Sequence, residues 1–222
     1  MLTAVATWPF MTPRATLPQR VEQFADMGFE GVSLLPGQVL DLPAAEANGL
    51  ADLLRGRSLF ATVHGDAGLT PDQTARLLEV LGDRLLCLTI DRSYQEDSRG
   101  RLYDAEGMAA VLRAVESLSV GTELRFAVED FPLDEMALAH YRAALEPLPA
   151  SPRYGILIDV GHLNMRRHGA RYFAGLSVGQ YLARVPVPIV EVHLHDNDGT
   201  RDAHAPFGQG NPRPVVAVRG CR

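Results

Sequence analysis

The chain has 222 residues, 46% of them hydrophobic and 22% charged, with a formal net charge of -6 and a sequence pI of about 5.6. This is the balance of one ordinary globular unit with a sizeable core, and its sign excludes a basic nucleic-acid surface spread over the molecule, leaving room only for a local basic channel. Two cysteines (Cys87 and Cys221) exclude a disulfide framework. No apolar run approaches the roughly 20 residues of a membrane span, and the opening residues lack the basic and apolar blocks of a secretion signal. These features predict a soluble, cytoplasmic protein.

In chain order, Leu2–Thr7 reads as a strand, and Thr16 with Gln19 offers a capping box for a helix that carries Val21, Phe24 and Met27 and stops at Gly28. Phe29–Leu35 is a second strand, and Pro43–Arg55 an alanine- and leucine-rich helix closed by Gly56. Leu59–His64 is a third strand. Thr70, Pro71 and Gln73 form another capping box with proline at the first helical position, and that helix ends at Gly82. Arg84–Ile90 is a fourth strand, nearly continuous in apolar residues. Asp91–Tyr103 reads as a polar loop, suited to a lid. Asp104 caps a helix to about Leu118, Glu123–Glu129 is a fifth strand, and Leu133–Leu145 a helix stopped by Pro147. Tyr154–Asp159 is a sixth strand, 175–184 a looser helical stretch, and Ile189–His195 the seventh strand.

Strands alternating with helices predict a parallel sheet covered by helices, because parallel strands need crossovers. An open doubly wound sheet and a closed barrel both fit that order. The chain has no Gly-x-Gly-x-x-Gly turn and no phosphate loop, which disfavours the nucleotide-binding sheet. Polar chemistry recurs at the C-terminal ends of strands far apart in sequence, which is where a barrel builds its site. The expected fold is therefore an α/β barrel of the TIM (β/α)8 type, a single domain over residues 1–222 that lacks a complete eighth unit.

Five of the seven histidines (His64, His162, His193, His195 and His204) stand at or just beyond strand ends. Alternation places Glu129 with Ala127, Asp159 with Leu157, and Glu191 with His193 and His195. If those faces point inward, Glu129, Asp159 and His193 converge at the barrel mouth. Two carboxylates and an imidazole suit a divalent cation such as Mn²⁺, Mg²⁺, Co²⁺ or Zn²⁺.

The segments 128–130 (Val-Glu-Asp), 158–162 (Ile-Asp-Val-Gly-His) and 192–196 (Val-His-Leu-His-Asp), together with Asp202-Ala203-His204 and 206–210, resemble the xylose-isomerase-like barrel superfamily. That superfamily holds sugar and sugar-phosphate isomerases and epimerases, inosose dehydratases, and metal-dependent apurinic endonucleases. The resemblance runs from the first strand to Gly210 and is more specific for fold than for substrate. It implies Glu129, Asp159 and His193 as metal ligands and Glu129 as the group that also moves a proton. It implies His162 as a substrate contact or a ligand of a further zinc, Asp202 and His204 as a pair for that further metal, and His64 as a zinc ligand in the endonuclease branch. His195 faces inward but lies outside the pattern.

Two departures stand out. The endonuclease branch has a histidine at the end of the fourth strand, where this chain has Thr89-Ile90-Asp91, leaving Asp91 as the substitute. The superfamily also supplies a last glutamate from an eighth strand, whereas after Asp202 this chain contains no Asp or Glu. Residues 211–222 turn abruptly to a Pro/Arg-rich sequence, which suggests a truncated or frame-shifted end and predicts dimerisation through the unpaired edges of the outer strands.

The expected protein is a metal-dependent isomerase or epimerase acting on a small sugar, sugar phosphate or polyol, without membrane or nucleic-acid partners. The alternatives are a zinc-dependent apurinic-site phosphodiesterase and a barrel that has lost catalysis and acts as a binding subunit.

Overall fold

The structure, a computed structural model, describes residues 2–7, 15–65, 69–90, 94–97, 100–103, 105–129, 153–162, 164, 180, 183, 188–201 and 203–205. Its elements in order are β1 (Ala4–Ala6), α1 (Leu17–Asp26), β2 (Gly31–Leu34), α2 (Pro36–Leu40), α3 (Ala44–Gly56), β3 (Phe60–Gly65), α4 (Pro71–Leu81), β4 (Leu85–Ile90), β5 (Tyr94–Asp97), β6 (Gly100–Tyr103), α5 (Ala105–Leu118), β7 (Arg125–Glu129), β8 (Tyr154–Asp159) and β9 (Ile189–His193).

Local chemistry sets the helix starts where the sequence predicts them. The Thr16 hydroxyl accepts from the Gln19 amide N–H while the Gln19 side chain accepts from the Thr16 N–H, and Thr70 and Gln73 repeat the arrangement at α4. Each box satisfies two backbone donors that a helix start leaves open. Gly28 follows α1 at φ +88, a left-handed turn that a side chain would oppose.

Seven strands form one parallel sheet in the order β1-β2-β3-β4-β7-β8-β9. The outward faces of these strands carry Val32, Leu34, Val63, Leu88, Ile90, Phe126, Val128, Ile156 and Ile158. They pack against α-helical Val21, Phe24, Leu50, Leu54, Leu77, Leu81, Leu112 and Val115, all buried. At roughly 1.5–3 kcal/mol for each large side chain removed from water, this layer is the main source of stability. The inward face is different in kind. A small apolar floor of Cys87, Ala127 and Leu157 lies beneath a polar layer of His64, Thr89, Glu129, Asp159, Glu191 and His193.

Register makes that layer. His64 pairs with Thr89, Thr89 with Ala127, and Asp159 with His193. A register shift lets Leu157 pair with Glu191 although Ile156 pairs with Ile189, so Val190 is passed over and Glu191 and His193 both face inward. The sheet is curled: the Thr89 hydroxyl of β4 reaches the Glu191 carboxylate of β9 at 2.6 Å, with β7 and β8 between them in the sheet. The architecture is that of a TIM-type barrel, with seven parallel wall strands among the described residues and no eighth; residues 206–222, with the atypical C-terminal stretch, lie outside them.

Two local expectations are corrected, and one element that the sequence pattern leaves unassigned is added. The stretch expected to be a loop at Asp91–Tyr103 contains an antiparallel hairpin, Tyr94 pairing with Tyr103 and Asp97 with Gly100. A short helix, α2, starts at Pro36 directly after β2, where proline presets φ and the Gln38 side chain accepts from the Leu35 N–H. The last strand ends at His193 rather than His195. The expected helices at 133–145 and 175–184 fall outside the described residues, apart from single positions.

Candidate metal centre at the strand ends

Three consecutive strands each deliver one ligand-type side chain to the same end of the sheet: Glu129 closes β7, Asp159 closes β8 and His193 closes β9. One ligand atom from each lies within 4.8 Å of the other two. The carboxylates are almost fully enclosed, Glu129 at 4% and Asp159 at 2% exposure, and His193 is half-buried. Two enclosed carboxylates need polar partners, and imidazole nitrogens stand close to both of them.

Glu129 is bracketed. His64 Nε2 stands 3.1 Å from one carboxylate oxygen and His162 Nδ1 3.3 Å from the other. Asp159 divides its two oxygens between tasks. Its Oδ1 accepts from the backbone N–H of His162 at 2.8 Å, capping the helical turn that follows β8, and also faces His195 Nε2 at 2.9 Å. Its Oδ2 is buried, accepts no hydrogen bond among the described residues, and faces His193 Nδ1 at 3.8 Å. Burial alone would raise the Asp159 pKa; contact with His195, the charge of His162 and the His162 backbone N–H outweigh it and hold the carboxyl at about 2.

A divalent cation fits this group. Asp159 Oδ2 is an enclosed anionic oxygen that accepts no hydrogen bond among the described residues, and two carboxylates plus one imidazole are the donor set that such a cation takes. Ligand atoms bound at about 2.1 Å to one centre lie at most about 4.2 Å apart, so only small side-chain adjustments separate the observed spread from coordination.

Beside it lies a second group, His162, His195 and His204, one ring nitrogen from each lying within 4.8 Å of the other two. The chain leaves β9, and Asp196 and Ala205 exchange backbone hydrogen bonds of 2.7 and 2.8 Å, folding the loop back so that the His204 ring stacks on His195 with centroids 4.0 Å apart. His204 adopts a left-handed φ of 44 at that return. Buried Asn197 fixes the loop base: its amide donates to the Gly161 carbonyl at 2.9 Å and its side-chain oxygen accepts from Asn164 at 2.7 Å. Gly161 is required here, because a Cβ at that position would fall 1.9 Å from His195 Cε1.

Of the residues singled out from sequence, Glu129, Asp159, His193, His64 and His162 meet around one centre, and His195 and His204 join His162 in the adjoining group. Asp91 and Asp202 lie outside the described residues. Glu191 was not among the expected site residues, yet its side chain is largely enclosed, 3.6 Å from His193 Nε2 and bonded by Thr89. Its alternation with His193 was the available signal. Burial raises the Glu191 pKa, but contacts with His193, Thr89 and Thr62 leave it below the ordinary carboxylate value.

No family model matches the chain. A stretch of 61 residues is 34% identical to an uncharacterized protein of Methanocaldococcus jannaschii, covering 28% of this chain and 19% of that protein, so the match spans less than a fifth of that relative. Among solved structures, a D-tagatose 3-epimerase-like protein superposes with a TM-score of 0.65 at 19% identity over 96% of this chain and 83% of its own. The D-psicose 3-epimerase of Clostridium cellulolyticum H10, solved with D-tagatose, gives 0.61 at 11% identity over 92% and 77%. The IolI protein, solved with a bound zinc atom, gives 0.65 at 12% over 96% and 81%. Identities this low establish a shared fold and nothing finer.

Proposed function

We propose, for a chain with the fold of the xylose-isomerase-like TIM barrels, a divalent-metal-dependent isomerase or epimerase of small sugars, sugar phosphates or polyols. Glu129, Asp159 and His193 hold the metal in this reading, and the observation that carries it is their convergence from three adjacent strand ends within 4.8 Å. Barrels of this type build their chemistry at that end. When bound, a divalent cation polarises substrate oxygens and so acidifies the neighbouring C–H.

The protein's own groups then do the proton transfer. Glu129 is the base, and His162 Nδ1, 3.3 Å from its carboxylate, is placed to exchange the proton with it. His64 Nε2, 3.1 Å from the other oxygen, steadies the carboxylate and limits its rotation. Enclosure of both carboxylates keeps water from competing for the proton.

The test is metal analysis of the purified protein followed by turnover of ketose and polyol panels. One exchangeable divalent ion per chain, with turnover lost in Glu129→Gln, is expected; full turnover of a confirmed substrate by that variant would refute the assignment. The adjoining His162, His195 and His204 group favours a second reading, a zinc-dependent apurinic-site phosphodiesterase, which predicts two or three tightly bound zinc ions and cleavage of abasic DNA. The net charge of -6 and a strand-four end, Thr89-Ile90-Asp91, that has no histidine weigh against it. A protein that binds no metal would instead be a non-catalytic barrel.

A further inference from the structure

We infer that Glu191 is a positioning residue for His193: it holds the ring with its proton on Nε2, so that the Nδ1 lone pair is the one turned toward Asp159. The inference rests on the metal site proposed above and concerns how that site is prepared before metal arrives. Its basis is that His193 lies between two carboxylates, each facing a different ring nitrogen. Glu191 stands 3.6 Å from Nε2, and Asp159 Oδ2 stands 3.8 Å from Nδ1.

A neutral imidazole carries one N–H and one lone pair, and an ionised carboxylate can only accept. The two acids therefore compete for a single proton. If Asp159 won, Nδ1 would present an N–H where a ligand needs a lone pair, and Asp159 Oδ2 would be spent on it. If Glu191 wins, both Nδ1 and Asp159 Oδ2 remain available on the same side.

The structure favours Glu191 by anchoring it. Its Oε2 accepts the Thr89 hydroxyl at 2.6 Å, and Thr89 is fully buried on β4, across the curled interior from β9. That contact aims the other oxygen at His193, and a shift of about half an ångström turns 3.6 Å into a hydrogen bond. Glu191 itself is not in the Glu129, Asp159 and His193 group, so it acts through the histidine. Carboxylates placed behind a metal-binding imidazole fix its tautomer and raise its basicity, and losing one typically costs 10–100-fold in metal affinity.

The experiment compares the full chain with Glu191→Leu, Glu191→Gln and Thr89→Val. Two readouts are taken: affinity for Zn²⁺ and Mn²⁺ alone by competition with a chelating dye, and the His193 tautomer by ¹⁵N-histidine NMR of the metal-free protein above the imidazole titration range. The wild type is expected to show Nε2–H. Glu191→Leu should weaken metal binding by about 10–100-fold and move the His193 proton to Nδ1. Glu191→Gln keeps an acceptor oxygen for Nε2–H and should retain the tautomer and most of the affinity; Thr89→Val should fall between. Should Glu191→Leu fail to fold, Thr89→Val carries the same test. Unchanged affinity and tautomer in the Leu and Val variants, or a wild type with Nδ1–H, would overturn the inference. A wild type that binds neither metal would sink the metal-site reading instead, while the tautomer of the metal-free protein would still decide the role of Glu191.

Discussion

His195 Nε2 lies 2.9 Å from Asp159 Oδ1, and it can lie there because residue 161 has no side chain. Asp159 begins the turn that contains Gly161, so the carboxylate, the glycine and the imidazole form one packed unit at the end of β8. A methyl group on residue 161 would overlap the His195 ring. Gly161→Ala should therefore expel His195 and cost about 1–3 kcal/mol of stability, the usual range for overpacking. Denaturant unfolding measures the loss, and a wild-type midpoint would show that the ring moves aside without penalty.

Asp159 also sets a pH dependence. Its folded pKa of about 2 lies below the ordinary value of 3.8. A depressed carboxyl binds fewer protons when folded than when unfolded, so its stabilisation is complete above about pH 4 and is lost as pH falls toward 2. In metal-free protein, the stability advantage of wild type over Asp159→Asn should shrink as pH falls across that window. Urea titrations at descending pH would show it. A gap that does not narrow would mean that the imidazoles around Asp159 do not depress it.

Metal should stabilise the fold, since the ligands come together only when β7, β8 and β9 are assembled. A divalent ion at 100 times its dissociation constant adds about 2.7 kcal/mol, and a chelator removes it. Thermal unfolding with and without Mn²⁺ or Zn²⁺ should show the shift in wild type and lose it in Asp159→Asn. An equal shift in the variant would place the bound ion elsewhere.

Cys87 sits in the apolar floor beneath the polar layer. Burial, aided by the negative charge of Glu191, pushes its thiol well above the ordinary range. It should resist iodoacetamide in the native protein and react readily once the chain is unfolded. Mass spectrometry of the peptide carrying Cys87 reads this directly, and rapid native alkylation would mean that the barrel floor opens to solvent.

Much of this was legible in sequence because the decisive residues end regular strands. Glu129 and Asp159 close apolar runs, so period alone gave the face each shares with its neighbours, and the barrel reading supplied the condition that those faces point inward. His193 followed likewise, although its register with Asp159 depends on the slip past Val190, which alternation cannot reveal. His195 was harder to weigh: it lies beyond the strand, and its direction comes from the 196–205 backbone bridge and the space left by Gly161. Alternation puts Glu191 on the face of His193, but its contact with Thr89, 102 residues away, is not legible in sequence. The hairpin at 94–103 was missed because its polar composition resembles a loop, and α2 because five residues carry little periodicity.

That separation of 102 residues between Thr89 and Glu191 has a kinetic meaning. Bringing the hydroxyl and the carboxylate together closes a long stretch of chain, which costs more entropy than a local contact, and folds rich in such contacts form slowly. The histidine that Glu191 faces gains its neighbours on the same schedule. Binding competence should therefore appear only in the last phase of refolding, after helix signal has recovered, and a cation added early would have nothing complete to bind.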